Sequence, residues 1–215
     1  GAGPGGASAS CWLSQAGCRT VVLEKEGLPR YKACGGGVPR AVLERFPFDF
    51  SSVIDRWVQR VRFRLRDGRE VVTPLPKNAV SMVMRDQFDL HILNQADVEV
   101  HDGTRVVAVD QNASGVSVRT ERGDALRSRY LVGADGANSS VSRLLGLRRD
   151  GKMGMAIEAE VPVGHGLLKA YGETALFIFG TPKNGYVWIF PKAEHLSVGI
   201  GTFHRRAPKV TSTLK

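Results

Sequence analysis

The sequence predicts an α/β domain interleaved with a mainly antiparallel β domain. Three observations carry this expectation. A glycine-rich turn, Gly1-Ala2-Gly3-Pro4-Gly5-Gly6, opens a helix of small residues; an apolar strand runs into a second glycine turn at Gly133-Ala134-Asp135-Gly136; and the stretch after Gly151 is rich in short strands. With 215 residues, 42% hydrophobic and 24% charged, the chain has the size and composition of a folded protein with a sizeable core.

The first turn leads into a helix over residues 5–15 that ends near Gly17, and residues 20–23 read as a buried strand. Residues 31–38 form a glycine-rich loop, followed by a short helix over 39–45 with Pro39 in its first turn. Residues 60–65 and 69–74 flank Asp67-Gly68, a pair that supplies the positive dihedrals of a tight hairpin. A strand over 80–84 and the start of a helix over 86–94 come next. Between residues 98 and 131, alternating segments broken by Asp102-Gly103, residues 112–115 and Gly123-Asp124 predict a three-strand meander. It ends in the strand Tyr130-Leu131-Val132. Residues 174–179, 186–190 and 195–200 have the lengths and punctuation of antiparallel strands. The α/β domain is therefore expected over 1–50 and 78–150, and the β domain over 51–77 and 151–215.

The formal charge of +9 suits an anionic surface or a phosphorylated ligand. Its densest expression is Arg60, Arg62, Arg64 and Arg66 alternating with Val61, Phe63 and Leu65, the pattern of a strand with one wet face. A solvated outer face is the first reading and a phosphate-binding ribbon the second; no interleaving of aromatic and basic residues points to nucleic acid. No apolar run approaches the roughly 20 residues of a membrane-spanning helix. Cys11, Cys18 and Cys34 are odd in number and lack zinc-ligand spacing, which predicts reduced thiols and no metal site. The expected location is cytoplasmic, with peripheral contact between the arginine face and an anionic membrane surface.

Gly1, Gly3 and Gly6 fit the Gly-x-Gly-x-x-Gly spacing, in which glycines allow a tight turn, backbone approach to a pyrophosphate and close helix packing. The helix that starts around Pro4 and Gly5 would offer its N-terminal N–H groups to the phosphates. Glu24, eighteen residues past Gly6 at the end of the strand Val21-Val22-Leu23 and beside Lys25, is placed to accept the hydroxyls of a ribose. The first part therefore reads as a Rossmann-like dinucleotide-binding domain, with a further strand expected before Gly1.

The second turn separates cofactor classes. Residues 131–143, Leu-Val-Gly-Ala-Asp-Gly-Ala-Asn-Ser-Ser-Val-Ser-Arg, preceded by a meander, resemble the second FAD motif of the para-hydroxybenzoate hydroxylase-like flavoproteins. The resemblance implies an FAD/NAD(P)-binding Rossmann-like domain with an inserted β-meander. Within it, Asp135 would bear on the flavin pyrophosphate side, Gly136 would admit backbone, Arg85 would lie near the phosphate and ribityl portion, and Val106 of the meander would line the cofactor.

Two further segments resemble the geranylgeranyl reductase family. Pro29-Arg30-Tyr31-Lys32-Ala33-Cys34-Gly35-Gly36-Gly37 is similar to the loop that this family places beside the flavin ring. Tyr186-Val187-Trp188-Ile189-Phe190-Pro191, followed by Gly199-Ile200-Gly201, is similar to its Tyr-x-Trp-x-Phe-Pro signature. The resemblance implies FAD-dependent reduction of carbon–carbon double bonds in prenyl chains of lipids or chlorophyll, with electrons from NADPH or reduced ferredoxin. It assigns Cys34, Gly35 and Gly36 to the flavin, and Tyr186, Trp188, Phe190, Pro191, Gly199 and Gly201 to the substrate. Alternation puts Tyr186, Trp188 and Phe190 on one strand face, which suits either a hydrocarbon groove or core packing. Cys34, Tyr186 and water are the candidate proton donors. The alternative is an FAD-dependent monooxygenase or halogenase, but Lys183 and Lys192 stand beside turns and are not assigned a halogenase's lysine role. The family's third flavin motif, a Gly-Asp turn, is missing from residues 202–215. The chain is accordingly expected to be truncated at both ends, to bind FAD weakly and not to turn over alone.

Overall fold

The computed structural model describes residues 1–147 and 153–203. The first half contains α1 (Pro4–Gln15), β1 (Val21–Leu23), β2 (Gly37–Pro39), α2 (Arg40–Leu43), β3 (Ile54–Val58), β4 (Arg60–Leu65), β5 (Glu70–Pro74), β6 (Val80–Val83) and α3 (Arg85–Leu93). There follow β7 (Glu99–His101), β8 (Val106–Asn112), β9 (Gly115–Thr120), β10 (Ala125–Ser128) and α4 (Ser140–Leu144). The remainder holds β11 (Met155–Pro162), α5 (His165–Tyr171), β12 (Thr174–Phe179), β13 (Gly185–Pro191) and β14 (His195–Thr202). No helix among the described residues is long and apolar enough to cross a membrane. The sequence position of the missing Gly-Asp turn lies, from residue 204 on, outside the described residues.

The chain divides into two compact units, Gly1–Tyr31 with Asp86–Asp150 and Lys32–Arg85 with Gly151–Lys215. Residues 32–50 and 78–85 thus fall in the second unit rather than the first. The cause is strand pairing: β6 is hydrogen-bonded to β2 on one side and β3 on the other, so all three stay together.

In the first unit, Pro4 stands at the first helical position of α1, where its fixed φ suits the helix and its missing N–H costs nothing. Gly17, at φ +71°, ends the helix, with its N–H on Ser14 O and that of Cys18 on Leu13 O. β1 pairs in parallel with β7, Val21 opposite Glu99. The meander is β8-β9-β10 alone, and the segment near residue 98, expected within it, belongs instead beside β1. Val109, Val116 and Val118 form its buried centre, packed by Val106, Leu126 and Val141. Residues 130–132 are not a strand as expected. No neighbour among the described residues completes a ladder with them, and Tyr130 and Val132 stay 81% and 56% exposed.

In the second unit a six-stranded sheet has the order β11-β14-β13-β12-β4-β5, antiparallel except for β12 against β4. Val58 of β3, Met82 of β6 and Ala175 of β12 form a buried cluster, packed by Leu75, Val80, Phe177 and Phe190. β4 and β5 form the expected hairpin, with Gly68 at φ +89° in the turn. The polarity of β4 departs from expectation. Phe63 and Leu65 are exposed, as is Arg60, whereas Val61, Arg62 and Arg64 are half-buried; Arg64 pairs with Glu70 at 2.8 Å, directly across the hairpin, and Arg60 reaches Thr174 Oγ1 at 3.3 Å. Arg60 and Arg64 are thus engaged along the sheet, and Phe63 and Leu65 are exposed where they continue the aromatic face of β12, paired with Phe177 and Phe179.

Candidate flavin-binding and substrate sites

In the first unit the glycine turn closes on itself. A Cβ on Gly1 would lie 2.6 Å from Ala134 O, and one on Gly6 would lie 1.7 Å from Gly1 O, so these two positions admit no side chain. Gly3, the N-cap of α1, would bring its Cβ to 3.0 Å from Arg30 Nη2. Gly5 is different: it is exposed, and nothing but Ala134 Cβ at 4.0 Å stands near its own Cβ position. Gly1 and Gly6 therefore build the turn, and Gly5 presents backbone to an open face. No acidic residue occupies the first turn of α1, so the positive end of the helix is available to an anion.

Glu24, only 4% exposed, sits beneath this turn. Its Oε2 accepts from Ala2 N at 2.7 Å and its Oε1 from Glu26 N at 3.1 Å. Arg30 lies 3.4 Å from the same carboxylate through Nε and 3.2 Å from Asp89 through Nη2. Burial pushes the Glu24 carboxyl up, but the Ala2 and Glu26 N–H groups and the Arg30 charge outweigh it and hold the group below the ordinary range. A carboxylate has four lone-pair sites, so the ionised Glu24 retains acceptor capacity for a diol. Lys25 points away to an exposed pair with Glu26 at 3.4 Å.

Asp135 is engaged by its own chain. Its carboxylate accepts from Ser139 Oγ at 2.5 Å, Ser140 N at 2.6 Å and Val141 N at 3.0 Å, and Ser139 in turn caps α4 through Ser142 N. Burial raises its carboxyl and these donors, Ser139 foremost, bring it below the usual range. Gly136 has φ +86°, which reserves the turn for glycine. Val106 is half-buried on the meander core. Arg30 and Asp89, both part of this constellation, were invisible to motif reading, since they meet across 59 positions of sequence.

In the second unit, the Cys34–Gly37 loop is seated on β13 and its continuation. A Cβ on Gly35 would strike the Phe190 ring at 2.8 Å and Trp188 Nε1 at 2.9 Å. One on Gly36, which has φ +69°, would strike Val83 O at 2.1 Å and Lys192 Nζ at 2.6 Å. Trp188, Phe190 and Lys192 are two apart, so one face of the strand and its extension carries all three. A hydrogen-bond chain ties loop to sheet: Cys34 N donates to Glu158 Oε2 at 3.0 Å, Ser197 Oγ to Glu158 Oε1 at 2.8 Å, and Trp188 Nε1 to Ser197 Oγ at 3.3 Å. Cys34 itself is exposed. Gly199, opposite Trp188, is the space in which the indole lies, since a Cβ there would meet the ring at 1.9 Å. Gly201, opposite Tyr186, is under no such constraint.

The aromatic face continues from there. Tyr186 lies 5.8 Å and 5.9 Å from the rings of Phe177 and Phe179, and Phe63 stacks on Phe177 at 5.7 Å. Phe63 and Phe179 remain 41% and 38% exposed. Trp188 and Pro191 are buried. Of the expected substrate residues, then, Trp188 and Phe190 chiefly support the loop, and Tyr186 belongs to the open aromatic surface. Arg85, half-buried, stands at the first position of α3. Glu158 and Ser197 were missed in sequence; Lys192, noted there only as a lysine beside a turn and given no role, is 1% exposed.

A Gly-rich turn at a free helix N-terminus with a buried ionised carboxylate beneath it defines a dinucleotide-binding unit, here carried with a sheet unit of open aromatic face. Residues 51–200 match the family model described as FAD binding domain, and the chain belongs to that family. It is 30% identical over 217 residues to an uncharacterized protein of Methanosarcina barkeri (strain Fusaro / DSM 804), covering 100% of this chain and 55% of that protein. It is 28% identical to the chloroplastic geranylgeranyl diphosphate reductase of Oryza sativa subsp. japonica, over 94% of this chain and 48% of that one. With the menaquinone reductase of Mycolicibacterium smegmatis (strain ATCC 700084 / mc(2)155) it shares 31% identity over 94% of this chain and 53% of that one. The chain thus spans about half the length of the curated relatives it matches. A geranylgeranyl bacteriochlorophyll reductase-like protein from Thermoplasma acidophilum shares the fold with a TM-score of 0.81 at 23% identity, over 94% of this chain and 55% of that one. The halogenase PltM does so with 0.78 at 17%, over 100% and 53%.

Proposed function

We propose that the protein reduces carbon–carbon double bonds of prenyl chains, using FAD that draws electrons from NADPH or reduced ferredoxin. The observation that carries this reading is the clamped Cys34–Gly37 loop beside an open row of aromatic rings, Phe63, Phe177, Phe179 and Tyr186, which offers a hydrocarbon chain a wall of apolar surface. In this reading the α1 N-terminus and Gly5 hold the pyrophosphate, and Glu24 takes the ribose hydroxyls. The glycines of the loop allow close backbone approach to a flat ring. When bound and reduced, FAD supplies the hydride to one alkene carbon. The proton for the other carbon comes from Cys34, Tyr186 or water, and the aromatic row orients the chain and keeps bulk water from the reacting carbons. Similarity to the two named reductases supports reduction, and the menaquinone relative widens the substrate class to quinones that carry prenyl side chains.

A second reading, an FAD-dependent monooxygenase or halogenase, is favoured by the fold shared with a halogenase. Product analysis separates the two. With full-length protein, reduced flavin and a geranylgeranyl lipid, the reductase gives saturated product without oxygen. Product formed only with oxygen, and carrying hydroxyl or chlorine, would select the second reading.

A further inference from the structure

Lys192 is the largest of the fully buried side chains among the described residues, at 1% exposure, in a protein that has abundant surface for its cations. Carrying an ammonium out of water costs several kcal/mol even after relaxation, unless the charge is paired or used. The hydrogen bond found for it is to a neutral acceptor, Val83 O at 2.8 Å. The same strand residue donates Val83 N to Gly36 O at 2.9 Å, so Lys192 and Gly36 share one peptide neighbour. The space above the ammonium is reserved: any side chain at Gly36 would come within 2.6 Å of Nζ. Asp55, Glu158, Glu160 and Cys34 are the titratable groups whose fields reach it, and burial nevertheless outweighs them, pushing the ammonium below the ordinary lysine range.

We infer that Lys192 is a positioning residue that props the Cys34–Gly37 loop from beneath and gives that loop a fixed positive charge, which an electron-rich ring seated on the loop meets through backbone alone. The inference rests on the proposal that the flavin ring lies against this loop, but not on the identity of the substrate that is reduced. Its physical basis is general: a charge in a dry site acts with little screening, and it favours the more electron-rich state of a neighbouring group. Gly36 keeps the intervening layer one backbone thick.

The test uses the full-length holoprotein and its apo form, as wild type and as Lys192→Met, Lys192→Gln and Lys192→Arg. The flavin midpoint potential is read by dye equilibration, and apo-protein stability by thermal unfolding. The expected result is that Lys192→Gln and Lys192→Met shift the flavin equilibrium at least tenfold toward the oxidised form, about 30 mV for a two-electron couple, while Lys192→Arg restores it. Apo Lys192→Met is expected to melt no lower than wild type, because a buried charge has been removed. An unchanged potential in both neutral variants overturns the inference. So does failure of both to fold, which would make Lys192 a requirement of folding rather than a charge acting on the flavin. A shifted potential in a protein that leaves prenyl double bonds untouched would sink the proposed reaction and leave this inference standing.

Discussion

A single methyl group separates two kinds of glycine in the first turn. Gly6 packs 1.7 Å from Gly1 O at its Cβ position, whereas Gly5 has open space in the same direction. Gly6→Ala is therefore expected to destabilise the protein by about 3 kcal/mol or more, as overpacking against backbone does. Gly5→Ala lies in a helix, where alanine is better than glycine by roughly 0.5–1 kcal/mol, so the apo protein should gain stability while FAD affinity falls. Thermal unfolding and flavin titration of both variants check this, and an unchanged FAD affinity in Gly5→Ala would remove Gly5 from the phosphate site. Glu24 adds a pH dependence. Its folded carboxyl is held below its ordinary value of 4.5, so it contributes stability above that value and loses it as the pH falls through the folded one. The stability gap between wild type and Glu24→Gln, measured by denaturant titration, should be widest near neutrality and close progressively below about pH 4.5; a gap independent of pH would contradict the ionised assignment. Glycine spacing and Glu24 could be read in sequence because helix and strand set fixed offsets. Arg30, Asp89 and Lys192 could not, since their partners are chosen by tertiary packing.

Strand β13 shows how an alternating pattern underdetermines a face. Tyr186, Trp188 and Phe190 share one side as the two-residue period requires, yet Trp188 is buried and hydrogen-bonded to Ser197 whereas Tyr186 joins the partly open ring cluster. What divides them is the neighbouring strand, where Gly199 leaves a slot for the indole. Gly199→Ala would put a methyl group 1.9 Å from that ring and eject it. We expect it to unseat the Cys34 loop through the Ser197 and Glu158 bonds, seen as a red-shifted tryptophan emission and faster alkylation of Cys34 by iodoacetamide. Gly201→Ala, whose nearest contact at Cβ is 3.6 Å, is the matched control that should leave both unchanged. The short strands of the meander and the β4–β5 hairpin were legible because Gly and Asp punctuate them. The strand expected at residues 130–132 failed for the opposite reason: apolar composition marks a residue as fit for a sheet but supplies no partner for its backbone. On β4 alternation told two faces apart but not that both would meet water in part, with Arg60 exposed on one and Phe63 and Leu65 on the other.

At the scale of the whole molecule, the interleaving of an α/β unit with a β-sheet unit was legible, and its boundaries were not. Residues 32–50 and 78–85 go with the sheet unit because β2 and β3 both pair with β6, the first across more than forty positions, which no local signal announces. The consequence is chemical. The loop with Cys34 and the strand with Tyr186 belong to one compact unit, so their geometry is set by shared sheet contacts, whereas Glu24 and the glycine turn belong to the other. The chain belongs to the FAD binding domain family, and the reaction proposed for it is reduction of an isolated double bond by that cofactor. The most direct measurement is an anaerobic single turnover: full-length protein with FAD reduced by dithionite is mixed with a geranylgeranyl lipid, the flavin absorbance is followed, and the lipid is weighed by mass spectrometry. Flavin reoxidation in step with the gain of two hydrogens per bond, in the absence of oxygen, is the predicted result. A flavin that stays reduced until oxygen is admitted, with the lipid's double bonds intact, would contradict it.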